Sequence, residues 1–138
     1  MENLNPLKLF INRIYCFLFL EKFNKKLLFN FPSNIFRWNL IQHIIDKCSH
    51  SKYLEIGCDK DQSFSKIRIH CKVGVDPISG GTIRNTSDNF FKDNKEKFDI
   101  IFIDGLHHYE QVKRDVNNSL NILNDKGHIL IHDCLPRT

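Results

Sequence analysis

The feature that most narrows the fold of this 138-residue chain is the stretch 98–109, FDIIFIDGLHHY. Phe98, Ile100, Ile101, Phe102 and Ile103 make a β-branched and aromatic run of strand length. A run that is apolar at both odd and even positions fits a strand covered on both faces, the habit of parallel sheets flanked by helices. In open parallel sheets ligands sit beyond the carboxyl ends of the strands. Asp104, the first polar residue after the run, and His107 and His108 in the loop behind it therefore fall where a site is expected.

The rest of the chain alternates in the same sense. Residues 52–56 predict a first strand ending at Gly57, residues 63–70 a short helix, and residues 73–75 a second strand ending at Asp76. The segment 77–84, PISGGTIR, is turn-rich and too short for a full helix. The usual crossover is thus reduced to a loop, with a degraded third strand near residues 85–87. Asp88 is the candidate cap of a short helix running through Asn94. Residues 109–123 set Val112, Val116, Leu120 and Leu123 on one face and Lys113, Arg114, Asp115, Asn117 and Asn121 on the other, an amphipathic helix. Residues 124–127 turn the chain into the next strand, 129–131, which ends at His132 and Asp133. Upstream, Pro32 and Ser33 open a helix over 34–48 whose apolar face is Ile35, Phe36, Trp38, Ile41, Ile44 and Ile45. The pattern predicts an α/β fold with a doubly wound, mostly parallel sheet over residues 34–138.

Residues 1–33 read as a separate N-terminal amphipathic helical segment, with Leu7, Ile11, Ile14, Leu18, Phe23, Leu27 and Leu28 near helical spacing among basic residues. Such a stripe packs on the domain or on a second copy of the chain, or lies peripherally on a membrane surface. The wholly apolar run 14–20 has seven residues, where about 20 are needed to span a bilayer. It is bracketed by Arg13 and Glu21, and no small-residue cleavage site follows, so neither a transmembrane helix nor a secretory signal is expected. Cys16, Cys48, Cys58, Cys71 and Cys134 are odd in number and show no C-x-x-C pair and no Cys/His spacing of a zinc site. A reduced, cytoplasmic protein is the natural expectation. The net charge of +4, with a pI near 8.8, comes from scattered Lys and Arg, which argues for solubility and against a nucleic-acid interface.

Four strands thus end in polar or turn residues: Glu55 with Gly57, Asp76, Asp104, and His132 with Asp133. A glycine after the first strand lets a ligand approach the backbone, and a carboxylate after the second can accept hydrogen bonds from ribose hydroxyls. That pair serves NAD-binding and S-adenosylmethionine-binding folds alike. The dinucleotide fingerprint G-x-G-x-x-G is absent, since Cys58 and Asp59 follow Gly57, and this counts against an NAD(P)-dependent oxidoreductase. Gly80 and Gly81 lack the Lys-Ser or Lys-Thr of a P-loop, and Ser63 lacks a G-x-S-x-G elbow.

Five blocks in order, YLEIG (53–57), VGVDP (73–77), GGTIRNTSDNFF (80–91), FDIIFIDGLHHYE (98–110) and GHILIHDCLP (127–136), together resemble class I S-adenosylmethionine-dependent methyltransferases. The likeness is to the methyltransferase-domain branch related to metal-dependent sugar and catechol O-methyltransferases. The resemblance implies a Rossmann-like fold, with Glu55 and Gly57 at the methionine end of S-adenosylmethionine, Asp76 at its ribose, and Ser87 and Asp88 around adenine. It also implies that Asp104 and an acidic pair after the fifth strand hold magnesium or another divalent metal, here Asp104, His132 and Asp133, with His107 as general base. Asp104 would lie against the cofactor as well.

Three departures bear on this. Asp61 stands where the cofactor loop usually has glycine, which predicts a looser loop or a less firmly held methionine carboxylate. His132 replaces one carboxylate of the acidic pair, which weakens the case for magnesium or favours a softer metal. The chain stops at Thr138, where such folds continue through two more strands, so a domain truncated after the fifth strand is expected. The function implied is methylation of a hydroxyl on a small sugar-like or glycan acceptor. Two alternatives stay open: a catalytically inactive cofactor-binding or interaction module, and the oxidoreductase. For Asp104 the plain alternative is a cap on the helix that starts near Tyr109.

Overall fold

The strands add in the order β3-β2-β1-β4-β5, all parallel, in one five-stranded sheet. The computed structural model describes Phe10, Ile11, Ile14 and residues 34–133. The chain divides into two compact units, Met1–Ser33 and Asn34–Thr138. Phe10, Ile11 and Ile14 are helical, and the rest of the expected N-terminal stripe lies outside the described residues, as does Cys134.

In the second unit α1 (Arg37–Cys48) comes first, then β1 (Lys52–Ile56), β2 (Cys71–Asp76), β3 (Ile83–Arg84), α2 (Ser87–Asp93), β4 (Phe98–Ile103), α3 (Tyr109–Asn121) and β5 (Leu123–Ile131). The doubly wound α/β expectation holds. Strand β4, which the stretch 98–109 opens with, pairs on one side with β1 and on the other with β5. Its side chains divide between two cores. Ile100 and Phe102 join Tyr53, Ile41 and Ile45 under α1, while Ile101 and Ile103 join Leu54, Ile56 and Phe90 on the opposite face, where Val116 of α3 packs against them. Burying both faces is what removes the polar alternation from such a strand.

Several local expectations are corrected. Helix α1 starts at Arg37 rather than Asn34, because the Asn39 side chain folds back to accept the Phe36 N–H at 3.0 Å. The helix expected over 63–70 is a single 3-10 turn, Phe64–Lys66. Phe64 and Ile67 still reach the core from it, and Lys72 Nζ donates to the Phe64 and Ile67 carbonyls at 2.8 and 3.0 Å. The short third strand lies at Ile83–Arg84, just before the expected place. Thr86, not Asp88, caps α2, its hydroxyl accepting the Asn89 N–H at 3.3 Å. Strand β5 begins at Leu123 and carries the turn at 124–127 as an irregularity, with Lys126 at φ 64°. On α3, Asp115 is buried rather than on the solvent face, because Gln111 Nε2 reaches its carboxylate at 3.0 Å. No helix among the described residues is long and apolar enough to cross a membrane.

Candidate functional site

The order of strands reverses between β1 and β4, and in a doubly wound sheet that is where a crevice opens at the carboxyl edge. Gly57 closes β1 there with φ 86°. A Cβ on it would meet the Asp104 carbonyl oxygen at 2.4 Å and Gly105 Cα at 2.5 Å. Only glycine admits both the left-handed backbone and this approach. The two strand ends are tied by the Asp104 N–H, which donates to the Ile56 carbonyl at 2.8 Å.

Asp104 does not cap α3, whose N-cap is His108 without a side-chain hydrogen bond. Its carboxylate instead gathers one guanidinium and two imidazoles. Oδ2 lies 2.9 Å from Arg37 Nη1 at the start of α1, and Oδ1 lies 2.8 Å from His132 Nδ1 and 4.0 Å from His107 Nε2. Arg37 is itself aimed by Ser63, whose Oγ accepts from Nε at 2.6 Å. Burial pushes the Asp104 carboxyl above its usual range, with Arg37, His132 and His107 opposing. Atoms of Asp104, His107 and His132 able to bind a metal all lie within 4.8 Å of one another. A nitrogen and a carboxylate oxygen at 2.8 Å need a proton or a cation between their lone pairs. Asp133 is well exposed, its Oδ1 3.4 Å from His132 Nδ1, and it takes φ 52°.

Glu55 points to the same face of β1 as Tyr53 and is 1% exposed. The Tyr53 hydroxyl donates to its Oε2. Burial raises the Glu55 carboxyl to about 7, against the Tyr53 hydrogen bond and the Arg37 charge. Arg37, Glu55, Gly57, Ser63, Asp104 and His132 are among the walls of a polar cavity of about 250 Å³. Burial pushes the Cys58 thiol well up, so it is an inert wall of this cavity.

Asp76 turns its carboxylate to the backbone. Oδ1 accepts the N–H groups of Ile78 and Ser79 at 2.8 Å each, and Oδ2 accepts that of Asp59 at 3.0 Å. Burial works against ionisation, but these hydrogen bonds outweigh it and hold the group below its usual range. The Cys58 backbone N–H adds to these and Arg84 Nη1 lies 3.8 Å from Oδ1, so the roughly four lone-pair directions of the carboxylate are largely taken. Asp61 departs from the expectation of a loosened loop. It adopts φ 58°, as a glycine would, and its Oδ1 accepts the Gly81 N–H at 2.7 Å. The substitution ties the loop after β1 to the turn after β2.

A second cavity, of about 240 Å³ and mainly apolar, opens on the other side of Gly57 between Ile56, Val75, Pro77, Leu106, Ser87 and Asp88. Gln111 braces its polar rim, with Nε2 donating to Ser87 Oγ at 3.1 Å and to Asp88 Oδ1 at 3.3 Å. Each cavity alone falls below the ~300 Å³ at which small-molecule sites begin, and together they exceed it.

A parallel sheet of this order, open at its reversal point between a glycine and a carboxylate, with a polar and an apolar cavity side by side, defines the doubly wound class that binds nucleotide-like cofactors. The family model described as "Methyltransferase domain" matches residues 43–134. The chain belongs to that family, a class I methyltransferase domain for which S-adenosylmethionine is the usual cofactor. Among curated proteins none matches the chain.

The structure brings Glu55, Gly57, Asp104, His107 and His132 to one cavity, and Gly57, Ser87 and Asp88 to the other. Asp76 and Asp133 lie outside both linings. Sequence reasoning missed Arg37, Ser63 and Gln111. Arg37 meets its partners across 26 and 95 residues, and no local pattern marks it. Gln111 sits one turn before Asp115 on the expected polar face, so the i, i+4 spacing was its only signal.

Proposed function

We propose that the chain binds S-adenosylmethionine across the two cavities and methylates a hydroxyl of a small sugar-like or glycan acceptor, with a divalent ion assisting. The observation that carries this reading is the convergence of Asp104, His107 and His132 within 4.8 Å beside Gly57. The cofactor, when bound, supplies an electrophilic methyl group on a sulfonium. Glu55 takes its amino group, the apolar cavity with Ser87 and Asp88 takes adenine, and Asp76 accepts from the ribose hydroxyls.

As the new O–C bond forms, the acceptor oxygen must give up its proton. His107, half exposed and 4.0 Å from the Asp104 carboxylate, accepts it as general base. One carboxylate and imidazole nitrogen suit a borderline divalent ion better than magnesium, which prefers oxygen ligands. Asp104 and His132 would hold such an ion, with Asp133 as a neighbouring donor, and it would polarise the acceptor hydroxyl. Arg37 occupies Oδ2 of Asp104, which leaves Oδ1 to face the ion.

Calorimetric titration with S-adenosylmethionine, with and without chelator, followed by transfer of a labelled methyl group to a glycan panel, tests the reading. Asp104→Ala and His107→Ala should each abolish transfer, with His107→Ala leaving cofactor affinity within about twofold, because a base acts on the acceptor's proton. Cofactor binding without transfer to any acceptor would identify an interaction module. Absence of binding would defeat both readings.

A further inference from the structure

A second cluster of metal-binding side chains lies away from this crevice, toward the other end of α1. Cys48 is the last residue of α1. Ser49 then takes the left-handed conformation at φ 55°, and the His50 N–H returns to the Ile45 carbonyl at 3.0 Å. This reversal brings the side chains of Cys48 and His50 to one place. His128 arrives from β5, where it pairs with Ile100. His50 Nε2 and His128 Nδ1 stand 2.9 Å apart, and the Cys48, His50 and His128 ligand atoms lie within 4.8 Å of one another.

We propose that Cys48, His50 and His128 form a binding site for a zinc-class divalent ion, with water in the fourth position. The donor set is one thiolate and two imidazoles, which selects borderline ions over calcium and magnesium. Tetrahedral bonds of about 2.1 Å to nitrogen place two ligand nitrogens about 3.4 Å apart. The imidazoles therefore need to part by about 0.5 Å, a small side-chain adjustment, to exchange their mutual hydrogen bond for a shared ion. Cys48 is exposed and the two histidines are half-buried, so an ion has access from solvent and a partly dry seat. The carboxylate of Asp99 acts on His50 and is itself held by Ser51 and Lys52 backbone N–H groups at 2.9 Å each, a fixed negative charge behind the ligands. A cation here also meets the negative end of the α1 dipole.

The placement has a structural consequence. His132 follows His128 by four residues, just past the end of β5 and about 13 Å on if the chain stays extended, and α1 has Arg37 near His132 and Cys48 near His128. An ion at the second cluster pins the far end of the helix that presents Arg37 to Asp104.

Cobalt titration of the full chain, stripped of metal, reads the site directly through thiolate-to-metal charge-transfer absorption. One equivalent should develop this band, zinc should displace it, and zinc should raise the unfolding midpoint. Cys48→Ser should remove the band, and His128→Ala should weaken binding at least tenfold, since one of three protein ligands is lost. His107→Ala should leave the band intact. Circular dichroism checks folding, and His50→Gln, outside helix and strand, reports the same loss if His128→Ala does not fold. Absence of a thiolate band, its survival in Cys48→Ser, or its dependence on His107 in place of His128 would overturn the assignment.

Discussion

Replacing Glu55 by Gln should change how stability depends on pH, and the size of the change follows from burial. The carboxyl is 1% exposed and is raised from 4.5 to about 7, chiefly by burial. The folded chain therefore holds this proton more tightly than the unfolded chain. Its contribution is fully present below about pH 4.5 and is lost as pH rises through about 7. A shift of about 2.5 units at about 1.4 kcal/mol per unit is about 3 kcal/mol at most.

Gln keeps the shape, still accepts the Tyr53 hydroxyl and does not ionise. Glu55→Gln should match the parent near pH 4.5 and exceed its stability by up to about 3 kcal/mol at pH 8. Asp104 and Asp115, also raised by burial, titrate in both proteins and largely cancel in the difference. Urea unfolding at half-unit steps from pH 4.5 to 8.5 measures it. A difference between the two proteins that stays constant with pH would refute the reasoning. The same proton bears on ligand binding. If the ionised carboxylate receives a cationic amino group, S-adenosylmethionine should bind about 100-fold more weakly at pH 5 than with Glu55 ionised, releasing a proton as it binds. Glu55→Gln should bind weakly without that slope between pH 5 and 7.

Two further substitutions test the frame around the site. Asp99 accepts from Ser51, Lys52 and Asn124, and although burial opposes it, these bonds lower its carboxyl to about 2. Asp99→Ala should cost about 2 kcal/mol at neutral pH. The penalty should fade as pH drops from about 4 through about 2, where the parent loses the same contribution; a penalty unchanged at pH 2 in urea unfolding would contradict this. Gly57→Ala should cost about 3 kcal/mol or more through the clash with Asp104 and the positive φ, seen as a lower unfolding midpoint. Parent-like stability with intact S-adenosylmethionine binding would show that the strand ends part readily enough to admit a methyl group against the Asp104 carbonyl.

Much of the frame was readable in local pattern. A strand buried on both faces leaves a continuous apolar run, so β4 and its terminal Asp104 stood out, and β1, β2 and α3 followed from length and period. Where a short element is defined by contacts elsewhere, the pattern failed. Phe64 and Ile67 have helical spacing, but the segment is held as a 3-10 turn with its carbonyls taken by Lys72. Asp115 has the position of a solvent residue and is buried because Gln111 reaches it. Asp61 marked a lost glycine, yet it reproduces the glycine's conformation and adds a bond to Gly81.

By itself the sequence determined which segments become strands and helices and which polar residues stand at strand ends, because periodicity and turn chemistry act over a few neighbours. Tertiary structure alone decided what those residues meet. Arg37 comes to Asp104 and His132, and His128 to Cys48 and His50, because the parallel sheet sets α1 along β5 with one end of the helix near His132 and the other near His128. Contacts between residues so far apart in the chain carry no local signature, since they are set by strand order and register rather than by spacing.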